Sequence, residues 1–230
     1  ALPSAASLPD SAWLPARVRA LAGPQCAGRG NGSAVATAAA ETIAVWFAAA
    51  GLEPAGESGW FQDFVLSGAA PAAPAGLPAR NVLGRLPGRG ALAGSWLVAG
   101  AHYDHLGRVA PAAAGGGPAY CPGADDNASG VAALLAVARR LAGDGGAGPA
   151  RSVLFAAFAG EEDGLQGSAW LARHLPLPAD SLAAMLNLDT VGRLRDDRLY
   201  VGGVGTAAAF PALLAELGSA HGLTLELSRG

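Results

Sequence analysis

A chain of 230 residues, 51% of them hydrophobic, is long enough to fill the core of one large α/β domain and disfavours two small ones. Its formal net charge is -3 and all 15 of its cationic side chains are arginines, so there is no basic run to neutralise a phosphate backbone, which excludes nucleic acid as the expected partner. No stretch reaches the roughly eighteen uninterrupted apolar residues of a membrane span, so a soluble chain is expected.

The opening segment "ALPSAASLPD" has neither an initiator Met nor a charged and apolar signal, so the chain reads as a mature product or a cut piece. Export to a periplasmic or extracellular space is the expectation, and a cytoplasmic location stays compatible with it. Two cysteines, Cys26 and Cys121, are too few and too unevenly spaced to decide whether they pair, and they exclude a Cys-rich zinc finger. Trp46 and Phe47 lie in an amphipathic run and read as core, while Trp60 and Phe61 in "ESGWFQDF" suit either core or cleft.

Gly, Pro and Ala cluster at 67–79, 110–123 and 142–150, which read as loops. Between them "NVLGRLPG" and "SWLVAGAHYD" read as strands, "SGVAALLAVARRL" as a helix, "RSVLFAAFAG" as a buried strand and "GLQGSAWLARHL" as a helix. "LAAMLNLDTVG" and "DRLYVGG" follow as strands, then "TAAAFPALLAELGSAHG" as a helix and "LTLELS" as a last strand. Strand and helix in alternation predict crossover connections and a largely parallel sheet covered on both faces. The Gly run 115–117 lacks a following "GK[ST]" and reads as loop, not a phosphate cradle.

In such sheets ligands gather at the carboxyl ends of strands. Here those ends carry His102 and Asp104, Glu161 and Glu162, and Asp189, while Asp126 of "GADDNASG" opens the helix between the first two. Taken alone, Asp125 and Asp126 read as a helix N-cap, His105 as a packing or hydrogen-bonding residue and His174 as a helix end. Carboxylates brought together without a cation repel, and a mixed set of imidazole and carboxylate suits zinc. Zinc-bound water titrates near neutrality, so the set predicts a hydrolytic metal site. In the "EE" pair one carboxylate can bind metal while its neighbour serves as general base, and Asp126 is placed to bridge two ions.

"GAHYDHLG", "GADDNASGVAALLAVARRL", "FAAFAGEEDGLQGS" and "MLNLDTVGR", in that order, resemble the zinc-dependent aminopeptidases of metallopeptidase family twenty-eight in clan MH. A weaker likeness extends upstream to "AGRGNGS" and "ETIAVWFAAAGLEP". The resemblance implies a three-layer α-β-α sandwich around a central mixed, mostly parallel sheet, forming one catalytic domain over residues 1–230. It also implies two zinc ions, with His102 and Glu162 on one, Asp189 on the other and Asp126 bridging, while Asp125 takes no part. Glu161 matches the general base and Asp104 the carboxylate that orients the ligand imidazole. A cis peptide is implied after Asp126.

The family's second zinc takes one more His beyond the strand that "LTLELS" resembles. The only downstream histidine is His221, beside Gly222, which reads as a helix cap. The chain is therefore expected to stop before its last ligand, with loss of activity as one consequence. The leading expectation is a dizinc aminopeptidase acting on peptides or small proteins. The alternatives are a dipeptidase or carboxypeptidase, a glutaminyl cyclase-like acyltransferase, and a non-catalytic binding module or inactive fragment.

Overall fold

The central strand β5 (Ser152–Phe158) is buried along its whole length, because "SVLFAAF" offers apolar or small side chains to both faces. A computed structural model describes residues 12–68, 75–108, 119–143 and 148–229. In it β5 lies between β3 (Ala75–Leu86), which runs antiparallel, and β4 (Trp96–His102), which runs parallel. β6 (Leu182–Asn187) adds parallel to β4 at one edge, and the short β1 (Glu53–Pro54) and β2 (Phe61–Ser67) both pair antiparallel with β3.

Side chains alternate across β5 and so define two cores. Val153, Phe155 and Ala157 face Ile43 and Phe47 of α2 (Ala34–Ala49) and Leu134 and Leu135 of α3 (Gly130–Gly143), with Leu21 of α1 (Trp13–Ala22) in the same cluster. Leu154, Ala156 and Phe158 face Leu171 of α4 (Gln166–Arg173) and Leu177. The layers are therefore helices, sheet and helix, as expected. Each fully buried Phe, Leu or Ile contributes about 1.5–3 kcal/mol, so the double-sided β5 anchors both interfaces.

The sheet is mixed, but its parallel part is confined to β5, β4 and β6. The antiparallel half exceeds what strand and helix alternation predicts, because β3 begins at Ala75, inside the Ala- and Pro-rich stretch read as a loop. Its partner β2 supplies the reason. Phe64 and Leu66 are buried between exposed Asp63, Val65 and Ser67, an alternation suited to a half-covered antiparallel ribbon. Residues 69–74, 109–118 and 144–147, including the Gly run, lie outside the described residues.

Ala1–Val191 form one compact unit and Gly192–Gly230 a second. The polar stretch "GRLRDD" opens it. Within it β7 (Arg198–Val201) and β8 (Thr224–Leu227) form their own parallel pair, linked through α5 (Phe210–His221). His221 closes α5 and Gly222 follows in the left-handed region (φ 68°), as expected of a helix end.

Other assignments follow the packing. Phe47 is fully buried and Trp60 approaches it at 6.5 Å between ring centres, which places Trp60 with the core. His174 caps α4, its Nδ1 donating to the Trp170 carbonyl (3.0 Å) while its ring stacks on Trp170. Cys26 and Cys121 are free thiols. Among the described residues no helix is long and apolar enough to cross a membrane.

Candidate metal centre

β4 ends at His102, β5 two residues before Gly160 and the Glu161–Glu162 pair, and β6 two residues before Asp189. The parallel register of these three strands brings their carboxyl ends to one rim. Asp126 arrives from the turn before α3, where it (φ -103°, ψ 99°) and Asn127 (φ -131°, ψ 43°) leave the helical region. The peptide between them is cis, as the resemblance implied.

Asn127 caps the helix start. Its Oδ1 accepts from the amides of Gly130 (2.9 Å) and Thr190 (3.2 Å), and its Nδ2 donates to the Leu188 carbonyl (2.9 Å). One buried amide side chain thus ties the start of α3 to the segment that carries Asp189. The fit requires Gly130, since a Cβ there would meet Asn127 Oδ1 at 2.3 Å and the Leu188 carbonyl at 2.4 Å.

Asp126 turns one oxygen to each of two imidazoles. Its Oδ1 is 3.1 Å from His102 Nε2 and its Oδ2 is 3.8 Å from His105 Nδ1. His102 Nε2 also lies 3.5 Å from Asp189 Oδ1 and 3.9 Å from Glu161 Oε2. His105 Nδ1 lies 2.6 Å from Glu162 Oε1. Two groups result, His102 with Glu161 and Asp189, and His105 with Asp126 and Glu162. His102 and Glu162, expected on one ion, fall into different groups, because Glu162 Oε1 lies 2.6 Å from His105 Nδ1.

Asp104 is fully buried beneath these groups. Its backbone carbonyl is 3.2 Å from His102 Nδ1, and its carboxylate is 3.6 Å from the same atom. A carbonyl only accepts, so the neutral ring carries its proton on Nδ1 and leaves the Nε2 lone pair facing the acids. The Asp104 carboxylate also accepts from the amides of Glu161 and Glu162 (both 3.2 Å) and from Asn31 Nδ2 (2.6 Å). It therefore positions the Glu pair as well as the ring.

Sequence reading missed Arg29 and Asn31. The guanidinium of Arg29 is fully buried and donates to four backbone carbonyls, those of Tyr103 (2.7 Å), Leu21 (2.5 Å), Pro122 (2.9 Å) and Gly123 (2.9 Å). It thereby clamps the end of β4 to the loop that leads to Asp126. Gly28 (φ 78°) allows the crossing, since a Cβ there would meet the carbonyls of Cys121 (2.5 Å) and Gly107 (2.6 Å). Glycines on both sides of Arg29 in "AGRGNGS" were the available signal.

Burial disfavours the His102 imidazolium, but the Asp104 carboxylate, with Glu161 and Asp189, outweighs it and pushes the pKa up to about 9. Because 9 lies above the ordinary 6.5, folding takes up a proton, and the stabilisation is complete below about pH 6.5 and lost as pH rises through about 9. Zinc-stripped protein is therefore expected to melt at progressively lower temperature across that window. The slope should disappear in His102→Gln, as thermal denaturation at stepped pH will test.

The donor chemistry fits zinc. Two donors on one ion are at most about 4.2 Å apart, twice a zinc bond of about 2.1 Å, and each imidazole-to-carboxylate distance above lies within that span. A cleft of about 270 Å³ opens beside His102, Glu161 and Asp189, walled by Phe158, Leu165 and Met185.

The family model described as Peptidase family M28 matches residues 81–228. A "Probable zinc metalloprotease" of Pyrenophora teres f. teres is 43% identical over 77 residues, which are 34% of this chain and 15% of that relative. Another of the same description, from Pyrenophora tritici-repentis, is 49% identical over 71 residues, 31% of this chain and 16% of the relative. The matched segments thus span about one-sixth of these curated relatives. Among solved structures, the LapA aminopeptidase of Legionella pneumophila superposes with a TM-score of 0.66 at 18% identity, covering 96% of this chain and 55% of that one. The zinc aminopeptidase BSAP of Bacillus subtilis gives 0.68 at 17%, covering 97% and 80%. The glutaminyl cyclase of Porphyromonas gingivalis gives 0.71 at 20%, covering 97% and 78%. At these identities the shared property is the fold.

Proposed function

The chain belongs to Peptidase family M28, and on that premise we propose that its rim of imidazoles and carboxylates is the dizinc centre of an aminopeptidase. His102, Asp126, Glu162 and Asp189 would hold the metal. The observation that carries this reading is the pair of Asp126 oxygens, each turned to a different imidazole. Zinc bound there supplies a Lewis acid for the scissile carbonyl and lowers the pKa of water.

The chain's own groups do the rest. Glu161 is 31% exposed, accessible enough to meet a water in the cleft. Burial raises its pKa; His102 opposes the rise and Asp104, Glu162 and Asp189 add to it. A carboxylate so raised is a better proton acceptor near neutrality. Glu161 takes the proton as the water oxygen bonds to the carbonyl carbon, and returns it to the nitrogen as the C–N bond breaks. Asp104 keeps the His102 proton on Nδ1 throughout, so Nε2 remains a donor. The apolar wall of Phe158, Leu165 and Met185 has room for the side chain of one residue.

The test is metal content by elemental analysis after dialysis against trace zinc, with product masses from one peptide offered with a free and with a blocked N-terminus. Two zinc per chain and release of the first residue from the free peptide alone is the expected result. Cleavage at the other end, or of dipeptides only, would replace the aminopeptidase by another exopeptidase. Loss of ammonia from an N-terminal glutamine without chain cleavage would favour cyclisation, the reaction named for one of the proteins that share the fold.

A further inference from the structure

We propose that the place where α1, α2 and α3 meet is a docking surface for an acidic segment of another protein, with Arg17 and Arg139 gripping its carboxylates. The surface is separate from the metal rim, since Arg139 lies about 14 Å along α3 from Gly130 at the rise of a helix. It does not depend on the zinc reading.

Two indoles organise the surface. The guanidinium carbon of Arg17 lies 4.8 Å from the Trp13 ring centre and 4.9 Å from that of Trp46, which holds the cation between α1 and α2. Arg139 of α3 lies 4.8 Å from the same Trp13 ring, so at most twice that distance separates the two guanidiniums. The rings fix where the cations sit but do not neutralise them, because a ring quadrupole carries no net charge. Among the described residues neither Arg17 nor Arg139 pairs with a carboxylate, whereas Arg80, Arg85 and Arg198 each do. Arg17 Nε is buried without a hydrogen-bond partner, which leaves the Nη nitrogens as its accessible donors. A chain with 18 acidic side chains against 15 basic ones thus holds two like charges near each other with no counter-ion.

That chemistry selects the occupant. A guanidinium is a planar fork of donors that matches a carboxylate with parallel hydrogen bonds. Trp and Arg are also the side chains that carry most binding energy where proteins meet, and Trp13 and Trp46 both stay partly exposed. Two cations are too few to hold a nucleic-acid backbone, and the net charge of -3 opposes one. An Asp or Glu side chain of a protein partner supplies the missing charge, and apolar neighbours in the same segment cover the indoles. The bland competitor is a cation–π staple that only ties α1 to α2 and α3.

The test titrates the nitrogen-labelled chain, stripped of metal so that no ion competes for carboxylates, with an N-acetylated peptide of alternating Glu and Leu. The Gln–Leu counterpart and inorganic phosphate are the controls. The buried Arg17 Nε–H is shielded from exchange, so its resonance is the reporter. We expect the Glu peptide to shift the Arg17 and Arg139 side-chain resonances with a dissociation constant of about 1 mM or tighter, and the Gln peptide to bind at least about tenfold more weakly. Arg17→Gln and Arg139→Gln should each weaken the Glu peptide by about tenfold, with thermal denaturation confirming that both variants fold. A staple alone predicts a lower melting temperature in the variants and no response to peptide in the unaltered chain. No shift with the Glu peptide, or an equal response to the Gln peptide, would overturn the proposal on unaltered protein. Equal affinity for phosphate would overturn it too, by revealing a small-anion site in place of a protein-docking surface.

Discussion

Replacing Glu161 by glutamine is expected to lower peptide hydrolysis by about two to four orders of magnitude while zinc content stays at the unaltered level. Glutamine keeps the volume and the hydrogen-bonding reach of the side chain but accepts no proton, so the variant removes proton transfer and little else. The adjacent residue is the control. Glu162 faces His105 and Asp126, and Glu162→Gln should lose metal along with turnover. The distinction is sharp because the two carboxylates meet different imidazoles, Glu161 that of His102 and Glu162 that of His105. Elemental analysis beside initial rates decides it, and equal metal loss in both variants would show that the assigned division of labour is wrong. The same pair of measurements at several zinc concentrations guards against a rate loss caused only by weaker binding.

Arg29→Met is expected to destabilise the zinc-free fold by about 3–5 kcal/mol, although Arg29 touches neither substrate nor metal. Its four acceptors are backbone carbonyls in the interior, and methionine fills much of the space while removing the guanidinium from all of them, the Gly123 carbonyl keeping the Ala128 amide as a donor (3.2 Å). Burial lowers the Arg29 pKa, a pull opposed first by Cys26 and then by the carboxylates of Asp104, Asp126 and Glu162. Lysine should recover little, because an ammonium lacks the planar fork that serves carbonyls in three directions. Urea denaturation of stripped protein gives the energy. A loss below about 1 kcal/mol would mean that water replaces the guanidinium at no great cost.

The strands and helices around the site were legible because their patterns are strong. β4 and β5 are apolar runs ending in ionisable residues, and α3 repeats its apolar positions at helical spacing. Only the start of β3 was hidden, because Ala75–Pro78 are exposed and come from a segment whose composition favours no element, whereas its second half was read as a strand in "NVLGRLPG". The six ionisable residues picked out at the strand ends and helix start do converge. Their division into two groups was not legible, since it depends on which side of a turn each member of the Glu161–Glu162 pair leaves. His105 follows Asp104 directly, and nothing at that position in the sequence signals the 2.6 Å approach of its Nδ1 to Glu162 Oε1. Arg29 is harder still. A guanidinium whose partners are all main-chain carbonyls leaves no pairing residue elsewhere in the sequence.

The clamps around the centre join segments far apart in the chain. Arg29 reaches the Pro122 and Gly123 carbonyls 93 and 94 residues later, and Asn31 reaches Asp163 132 residues later. Asn127 closes the last span, 61 residues to Leu188. Contacts of such separation form only after large loops have closed, and their entropy is spent before the contacts repay it. A nascent chain that has just exposed His102 and His105 therefore offers two imidazoles without Glu161, Glu162 or Asp189. On the zinc reading proposed above, metal is expected to be taken up only after these loops have closed.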